Sequence, residues 1–145
     1  MRIYRHWRDV PAQGRGAVVA IGNFDGVHLG HQAVIAEAGR IARARRAPLA
    51  VLTFEPHPRE FFGRTDGPFR LTPFRIKLRE IAALGVDILY LLRFDADLSA
   101  LAADDFIHSL LVGGLGVSHV VVGYDFAFGH ARGGNIDVLR QNAEK

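Results

Sequence analysis

The sequence predicts an open, doubly wound α/β fold, in which a mainly parallel sheet is covered by helices on both faces. Short apolar runs alternate along the chain with amphipathic helical segments, four times in the order strand then helix. The apolar runs are continuous rather than alternating, which is typical of parallel strands buried on both faces. At 145 residues the chain is long enough for one domain with a core of its own.

Each of the four predicted strands is a short run of apolar residues, as expected for buried strands. The runs are AVVAIG at 17–22, LAVLTF at 49–54, VDILYLL at 86–92 and SHVVVG at 118–123. Before the first of them, Tyr4 and Trp7 are expected to pack the N-terminal segment onto the domain.

The first two helices are predicted by apolar stripes and by residues that start or stop a helix. The first covers residues 31–46 and is broken by Pro48. The second begins with Thr72 as N-cap and Pro73 in the first helical position, and Gly85 ends it. The predicted buried faces consist of Val34, Ile35, Ala38, Ile41 and Ala42 in the first helix and Phe74, Leu78, Ile81 and Ala82 in the second.

A third helix is predicted with Asp104 as its cap and with Gly113 and Gly114 as its stop. Its inward residues are Phe106, Ile107, Leu110 and Leu111. A glycine-rich and aromatic loop, YDFAFGHARGGN, follows the fourth strand, and a last helix is expected to begin near Ile136.

Composition narrows the class of protein. The chain is 49% hydrophobic and 23% charged, which is typical of a globular protein that is soluble in water. The chain has no cysteine, and this excludes disulfides, cysteine-based zinc sites and cysteine nucleophiles. The first ten residues contain no apolar signal-peptide core, and no stretch approaches the roughly 20 apolar residues of a membrane span. We therefore expect a cytoplasmic protein without a membrane partner.

The charge balance favours a small anionic ligand. The net charge is +3, which suits a nucleotide. The densest basic stretch, Arg40 to Arg46, falls at the end of a predicted helix, where cations stabilise the helix dipole. A solvated helix end explains it, so we do not expect nucleic-acid binding. Arginine outnumbers lysine 16 to 2.

Three unusual stretches follow strand ends. They cover residues 22–31 after the first strand, 54–62 after the second and 123–135 after the fourth. Ligands of open α/β sheets bind beyond the carboxyl ends of the strands. The three stretches are therefore expected to converge on one crevice and to form one site.

The first stretch, GNFDGVHLGH at 22–31, places His28 and His31 at the entry to a helix. Helix N-terminal N–H groups favour an anion there, and Gly30 lets a ligand approach the backbone closely. The pattern predicts a phosphate site with two additional imidazole donors. Ordinary surface or capping histidines are the alternative. A metal site with Asp25 and His57 is another, but zinc pairs on a helix sit at i, i+4, so no bound metal is predicted.

The three stretches together resemble the FAD synthetases of bacteria, which are members of the nucleotidylyltransferase superfamily. GNFDGVHLGH resembles the HxGH motif of that superfamily, LTFEPHPREFF at 52–62 the second motif of the synthetases, and VVVGYDFAFGHARGGN at 120–135 the third. LTPFRIKLREIAALGVD is similar to their central helix and strand. The resemblance covers nearly the whole chain and implies a Rossmann-like nucleotidylyltransferase fold.

The resemblance implies transfer of AMP from ATP to the phosphate of FMN, giving FAD and pyrophosphate, with Mg²⁺ bound through the ATP phosphates. His28 and His31 would bind those phosphates and stabilise the transition state, and Gly30 would make room for the nucleotide. Asp25 would hold the turn or orient the catalytic groups, an Asx turn being the alternative. The ATP-binding set is Gly22, Asn23, Phe24, Asp25, His28, Gly30 and His31, the first three contributing backbone contacts.

The flavin is expected on the other two stretches. Pro56 and Pro58 stiffen the loop and present His57, and Phe62 offers a flat apolar surface to the flavin ring. Guanidinium groups bind phosphate well, which suggests a phosphate contact for Arg132. The flavin-binding set is Pro56, His57, Pro58, Phe62, Asp125 and Arg132.

Bacterial members of this family carry a further strand, a motif of the form SSTxIR that clamps ATP, and a riboflavin kinase domain. None of these is found in the 145 residues. Residues 1–145 are thus interpreted as an adenylyltransferase domain that is incomplete at its C-terminus, followed by the kinase domain in a longer protein. The isolated chain is expected to catalyse poorly. A nucleotide- or flavin-binding fragment without activity, a cytidylyltransferase-type enzyme and a metal-dependent hydrolase are the alternatives.

Overall fold

The computed structural model describes residues 1–24, 29–55, 74–123, 127–128, 134–135 and 139. Its main sheet contains β1 (Arg2–Tyr4), β2 (Val18–Ile21), β3 (Leu49–Glu55), β4 (Ile88–Arg93) and β5 (His119–Val122). The α-helices are α1 (Leu29–Arg45), α2 (Phe74–Ala83), α3 (Ala96–Ser99) and α4 (Ala103–Asp105). The last of these continues as a π-helix over Phe106–Leu115. A 3₁₀ turn covers Ala12–Gly14, and β6 (Ala127–Phe128) and β7 (Gly134–Asn135) form a small antiparallel pair.

The main sheet is parallel throughout, in the order β1-β4-β3-β2-β5. The chain runs outward from β2 to β3 and β4, then returns and places β5 on the other edge of β2. Ile21, the last residue of β2, pairs with Leu52 of β3 and with Val122 of β5. The predicted doubly wound α/β fold is confirmed, and its switch point lies between β2 and β5.

Residues alternate between the two faces of the sheet and build two cores. One core joins β2, β3 and β4 to α1 and α2. It contains Val18, Ala20, Phe24, Ile35, Ala38, Ala42, Leu49, Val51, Ile81, Val86, Leu89 and Leu91. The other core lies under α3 and the π-helix and includes Ile21, Leu52, Tyr90, Leu98, Phe106 and Leu110. Because both faces are covered, the sequences of β2, β3 and β4 are apolar along most of their length.

Helix α1 and the start of the third helix differ in detail from expectation. Helix α1 begins at Leu29, two residues earlier than predicted, so Gly30 and His31 belong to its first turn. The prediction that Asp104 caps a helix is wrong, because Ala102 is the N-cap and makes no side-chain hydrogen bond. Asp104 instead lies in the first turn, where its charge favours the helix N-terminus.

The stop of the third helix was also predicted wrongly. Gly113 and Gly114 lie inside the π-helix, which ends at Leu115. Gly116 is the C-cap, with a φ of 64°, and its N–H donates to the Leu111 carbonyl. Gly114 is needed for packing, since an added Cβ there would overlap the backbone carbonyl of Trp7.

Several features escaped sequence analysis. Strand β1 pairs with β4 and forms one edge of the sheet, and β6 and β7 pair inside the glycine-rich loop. Asp95 caps the short helix α3 by accepting a hydrogen bond from the Leu98 N–H. In α2 the buried residues include Lys77 as well as Ile81, whereas Ala82, which was predicted to face inward, is exposed.

Some expectations fall wholly or partly outside the described residues. Thr72 and Pro73 are among them, as is the last helix, of which only Leu139 is described. Tyr4 and Trp7 do pack against the core, as predicted. Within the described residues, no helix is both long and apolar enough to cross a membrane.

Candidate functional site

The carboxyl ends of three neighbouring strands frame the candidate site. Strands β3, β2 and β5 lie side by side, and they end at Glu55, Ile21 and Val122. These are the strands after which the three unusual stretches leave the sheet. The neighbouring strand ends are confirmed, whereas most of the residues of the second and third stretches lie outside the described residues. The convergence of the loops themselves stays a prediction.

The turn after β2 is held by an inward-facing aromatic ring. Phe24 is 2% exposed and belongs to the core between the sheet and α1. Its backbone has a φ of 52°, a left-handed conformation that is strained for a residue other than glycine. A Cβ on Gly22 would lie 3.1 Å from the Phe24 ring, so a larger residue at position 22 would crowd that ring.

His31 lies in the first turn of α1 and packs on the same ring. The Phe24 and His31 rings meet edge to face, with centroids 5.3 Å apart and an interplanar angle of 82°. The first turn of α1 carries no acidic residue, so nothing on the helix neutralises the positive end of its dipole. Gly30 beside it is exposed. This helix start can accept an anion, and the His31 imidazole lies in its first turn.

A buried polar network borders the turn on the side of β3. Lys77 Nζ donates to Thr53 Oγ1 at 3.0 Å, and Thr53 Oγ1 donates to the Asn23 carbonyl at 3.0 Å. Thr53 is 1% exposed and Lys77 is 4% exposed. Glu55 Oε1 lies 3.8 Å from Lys77 Nζ and supplies an opposite charge. Asn23 Oδ1 is buried and has no hydrogen-bond partner among the described residues.

Thr53 and Lys77 were not predicted as site residues from the sequence. Lys77 precedes Ile81 by four residues and so falls within the predicted apolar stripe of α2, where a charged residue is unexpected. Thr53 is likewise a hydroxyl residue in an otherwise apolar strand. These two local exceptions were visible in the sequence, but only the fold shows that they meet.

Five of the predicted ATP-binding residues are described. They lie together at the β2-to-α1 connection: Gly22, Asn23, Phe24, Gly30 and His31. The predicted residues outside the described part are Asp25, His28, Pro56, His57, Pro58, Phe62, Asp125 and Arg132. Their roles stay predictions. Among the described residues, no group of three or more histidine, cysteine, aspartate or glutamate side chains could hold a metal ion.

His119 lies away from the candidate site. It opens β5 and therefore lies at the amino edge of the sheet, opposite the candidate site. Burial lowers its pKa, and the positive charge of Arg45 lowers it further. The lowered pKa of His119 is therefore explained by its burial and by its position next to Arg45 of α1.

The fold and the turn define a class: open α/β proteins with an anion-favouring helix start at the switch point of the sheet. Residues 10–145 match the FAD synthetase family, and the chain belongs to that family.

The relatives that this chain matches are named for two activities. The chain is 45% identical to the bifunctional riboflavin kinase/FMN adenylyltransferase of Escherichia coli K12 over 130 residues, which are 90% of this chain and 42% of that protein. It is 37% identical to the protein of the same name from Buchnera aphidicola of Acyrthosiphon pisum over 141 residues, 97% of this chain and 45% of the relative. The chain thus spans less than half the length of these curated relatives.

A solved structure shares the fold. It is described as a macrolide-efflux protein from Streptococcus pneumoniae, with a TM-score of 0.79 and 26% sequence identity. The match covers 96% of this chain and 45% of that one.

Proposed function

We propose that this chain is the FMN adenylyltransferase part of a bifunctional riboflavin kinase/FMN adenylyltransferase, and that it transfers AMP from ATP to FMN. The observation that carries the proposal is the placement of His31. Its imidazole sits at the positive start of α1, at the switch point of the sheet, packed against Phe24. Membership of the FAD synthetase family and the names of the relatives support the same activity.

The proposed reaction needs alignment and charge neutralisation more than proton transfer. An oxygen of the FMN phosphate attacks the α-phosphorus of ATP, and the bond from that phosphorus to the bridging oxygen breaks, releasing pyrophosphate. The attacking phosphate is already ionised at neutral pH, so no general base is required. Negative charge grows on the leaving pyrophosphate, and His28, His31 and the N–H groups of α1 stabilise it. Mg²⁺ enters with ATP as part of the substrate.

The remaining roles follow the sequence predictions. The backbone of Gly22, Asn23 and Phe24 lines the ATP pocket, and Gly30 leaves space for the nucleotide. Asp25 holds the turn. The flavin is bound by residues of the loops after β3 and β5: Pro56, His57, Pro58, Phe62, Asp125 and Arg132.

The longer protein is proposed to complete the site and to add a second activity. The relatives support this proposal. Their names include riboflavin kinase, and this chain covers only 42% to 45% of their length. A riboflavin kinase domain following this one would supply FMN, the substrate of the transfer. The cytoplasmic location and the absence of nucleic-acid and membrane partners stay predictions.

The test is FAD formation by the full-length protein that contains this chain, from ATP and FMN, with pyrophosphate release as a second readout. His31→Ala is expected to lower kcat about a hundredfold or more while changing FMN binding little, because it removes a donor to the developing charge. His108→Ala is the matched control, since His108 is exposed on the π-helix.

Each of the other outcomes has a clear meaning. Near-wild-type turnover of His31→Ala would refute the assigned role. FMN binding by the wild type without pyrophosphate release would identify a binding module, and a preference for CTP over ATP would identify a cytidylyltransferase.

A further inference from the structure

We propose that Lys77 and Thr53 are positioning residues for adenylyl transfer, which fix the turn that carries the ATP-binding residues. The inference rests on the proposed function. It assigns to both residues a role in catalysis although neither is part of the HxGH motif.

The contacts run in one direction, from α2 through β3 to the turn. The Lys77 ammonium donates to Thr53 Oγ1, and this leaves the Thr53 hydroxyl proton to be donated to the Asn23 carbonyl. A hydroxyl has one proton to donate, so Lys77 determines where that proton points. The ammonium thereby orients the hydroxyl, and the hydroxyl fixes the backbone of Asn23.

The fixed carbonyl immediately precedes the strained residue of the site. Phe24 follows Asn23 with its φ of 52°, and such a conformation persists only where its surroundings hold it. The Phe24 ring in turn carries the His31 ring at a centroid distance of 5.3 Å. A displacement of the Asn23 carbonyl would therefore be passed to His31 through one residue and one ring contact.

A purely structural role does not explain these residue types. Leu49 and Val51, which share a face of β3 with Thr53, are apolar, and valine would fill the space of Thr53 without burying a hydroxyl. Burying a lysine is costly unless it is paired, and here the Lys77 ammonium has Thr53 Oγ1 at 3.0 Å and Glu55 Oε1 at 3.8 Å beside it. The chain uses arginine at 16 of its 18 basic positions yet has lysine here. A lysine ammonium is a compact point donor, whereas a guanidinium is a planar fork of several donors, so the two are not interchangeable at a site where Nζ donates to the Thr53 hydroxyl.

The decisive comparison is between Thr53→Val and Thr53→Ser in the full-length protein. Valine keeps the volume of threonine and removes the hydroxyl, whereas serine keeps the hydroxyl. We expect Thr53→Val to lower kcat for FAD formation about tenfold, with the KM for FMN within about twofold of wild type. Thr53→Ser should retain kcat near the wild-type value. Equal kcat values for the two variants would overturn the proposal.

Lys77→Met tests the other end of the network. It removes the charge and the donor while leaving a side chain of similar length, and it should lower kcat to a similar degree. The double variant should be no slower than the slower single variant, because both break the same chain of hydrogen bonds. Ile81→Val is the matched control: Ile81 is fully buried on the same helix and should cost stability without lowering kcat. A double variant whose losses multiply would overturn the proposal.

Hydrogen exchange separates this inference from the proposed function. In Thr53→Val the amides of residues 22–24 should exchange faster than in Thr53→Ser, whether or not the protein makes FAD. A wild-type protein that is inactive with ATP and FMN refutes the proposed function alone. Unchanged exchange in Thr53→Val refutes the positioning role, even if the wild type is active.

Discussion

Single buried polar groups tie distant parts of this chain together, and Tyr90 is one of them. Its phenol O–H donates to the carbonyl of Gly14, across a sequence separation of 76 residues. The pKa of Tyr90 is raised to about 12, mainly by burial and in part by the neighbouring Tyr4, while Arg15 acts in the opposite direction. The proton of this hydrogen bond is therefore retained well above the ordinary pKa of tyrosine, which is about 10.

This pKa predicts how stability depends on pH. The unfolded chain releases the Tyr90 proton near pH 10 and the folded chain near pH 12. The contribution of Tyr90 to stability is thus fully present below pH 10 and is lost as the pH rises to 12, by at most roughly 3 kcal/mol. Denaturant unfolding between pH 8 and 12 measures it. Tyr90→Phe should be less stable at pH 8 and should lose less stability above pH 10; an unchanged slope would contradict the shift.

The π-helix contacts the N-terminal segment through the side chain of Arg15 and through the backbone and ring of Trp7. The Arg15 guanidinium donates to the carbonyls of Gly113 and Gly114 near the end of the helix, at 3.1 and 2.7 Å. A Cβ on Gly114 would lie 2.8 Å from Trp7 Cε3 and would overlap the Trp7 carbonyl. Gly114 therefore allows the π-helix to approach Trp7 closely, although the sequence pattern predicted that this glycine would end the helix.

Neighbouring glycines of this element should respond differently to the same substitution. Gly114→Ala should destabilise the protein by about 1–3 kcal/mol, because backbone rather than a flexible side chain blocks the added methyl group. At Gly113 the nearest atom to an added Cβ is the His108 carbonyl oxygen at 3.2 Å, and the residue is exposed. Gly113→Ala should change the free energy of unfolding by less than about 0.5 kcal/mol. Thermal unfolding compares the two, and equal destabilisation would refute the proposed contact.

For the molecule as a whole, the strand order determines which strands are protected from local opening. Strands β2, β3 and β4 have hydrogen-bonded neighbours on both sides, and nearly all their residues are buried. Strand β1 lies at an edge, has three residues and leaves Arg2 and Ile3 exposed. The most stable part of the sheet is therefore its centre, from which the site residues extend.

Native-state hydrogen exchange should reproduce this gradient. Amides of Leu49–Glu55 should exchange only through global unfolding, whereas those of Arg2–Tyr4 should exchange about tenfold faster or more, through local opening of the edge. Mass spectrometry on protease fragments resolves the two strands. Equal protection of β1 and β3 would mean that the edge strand opens only when the whole domain unfolds.

The sequence by itself determined the alternation of strands and helices, the open α/β class, the connection from β2 to α1 and the motifs that indicate the family. Those features are local, because apolar runs, helix stripes and glycine-histidine spacing are read over about ten residues at a time. The tertiary structure alone decided that β1 pairs with β4, that Gly114 accommodates Trp7, and that Lys77, Thr53 and the Asn23 carbonyl meet. These contacts join residues that are far apart in the chain, so their geometry depends on how the sheet is ordered. A lysine in an apolar stripe could be seen in the sequence, but the group it orients could be seen only in the fold.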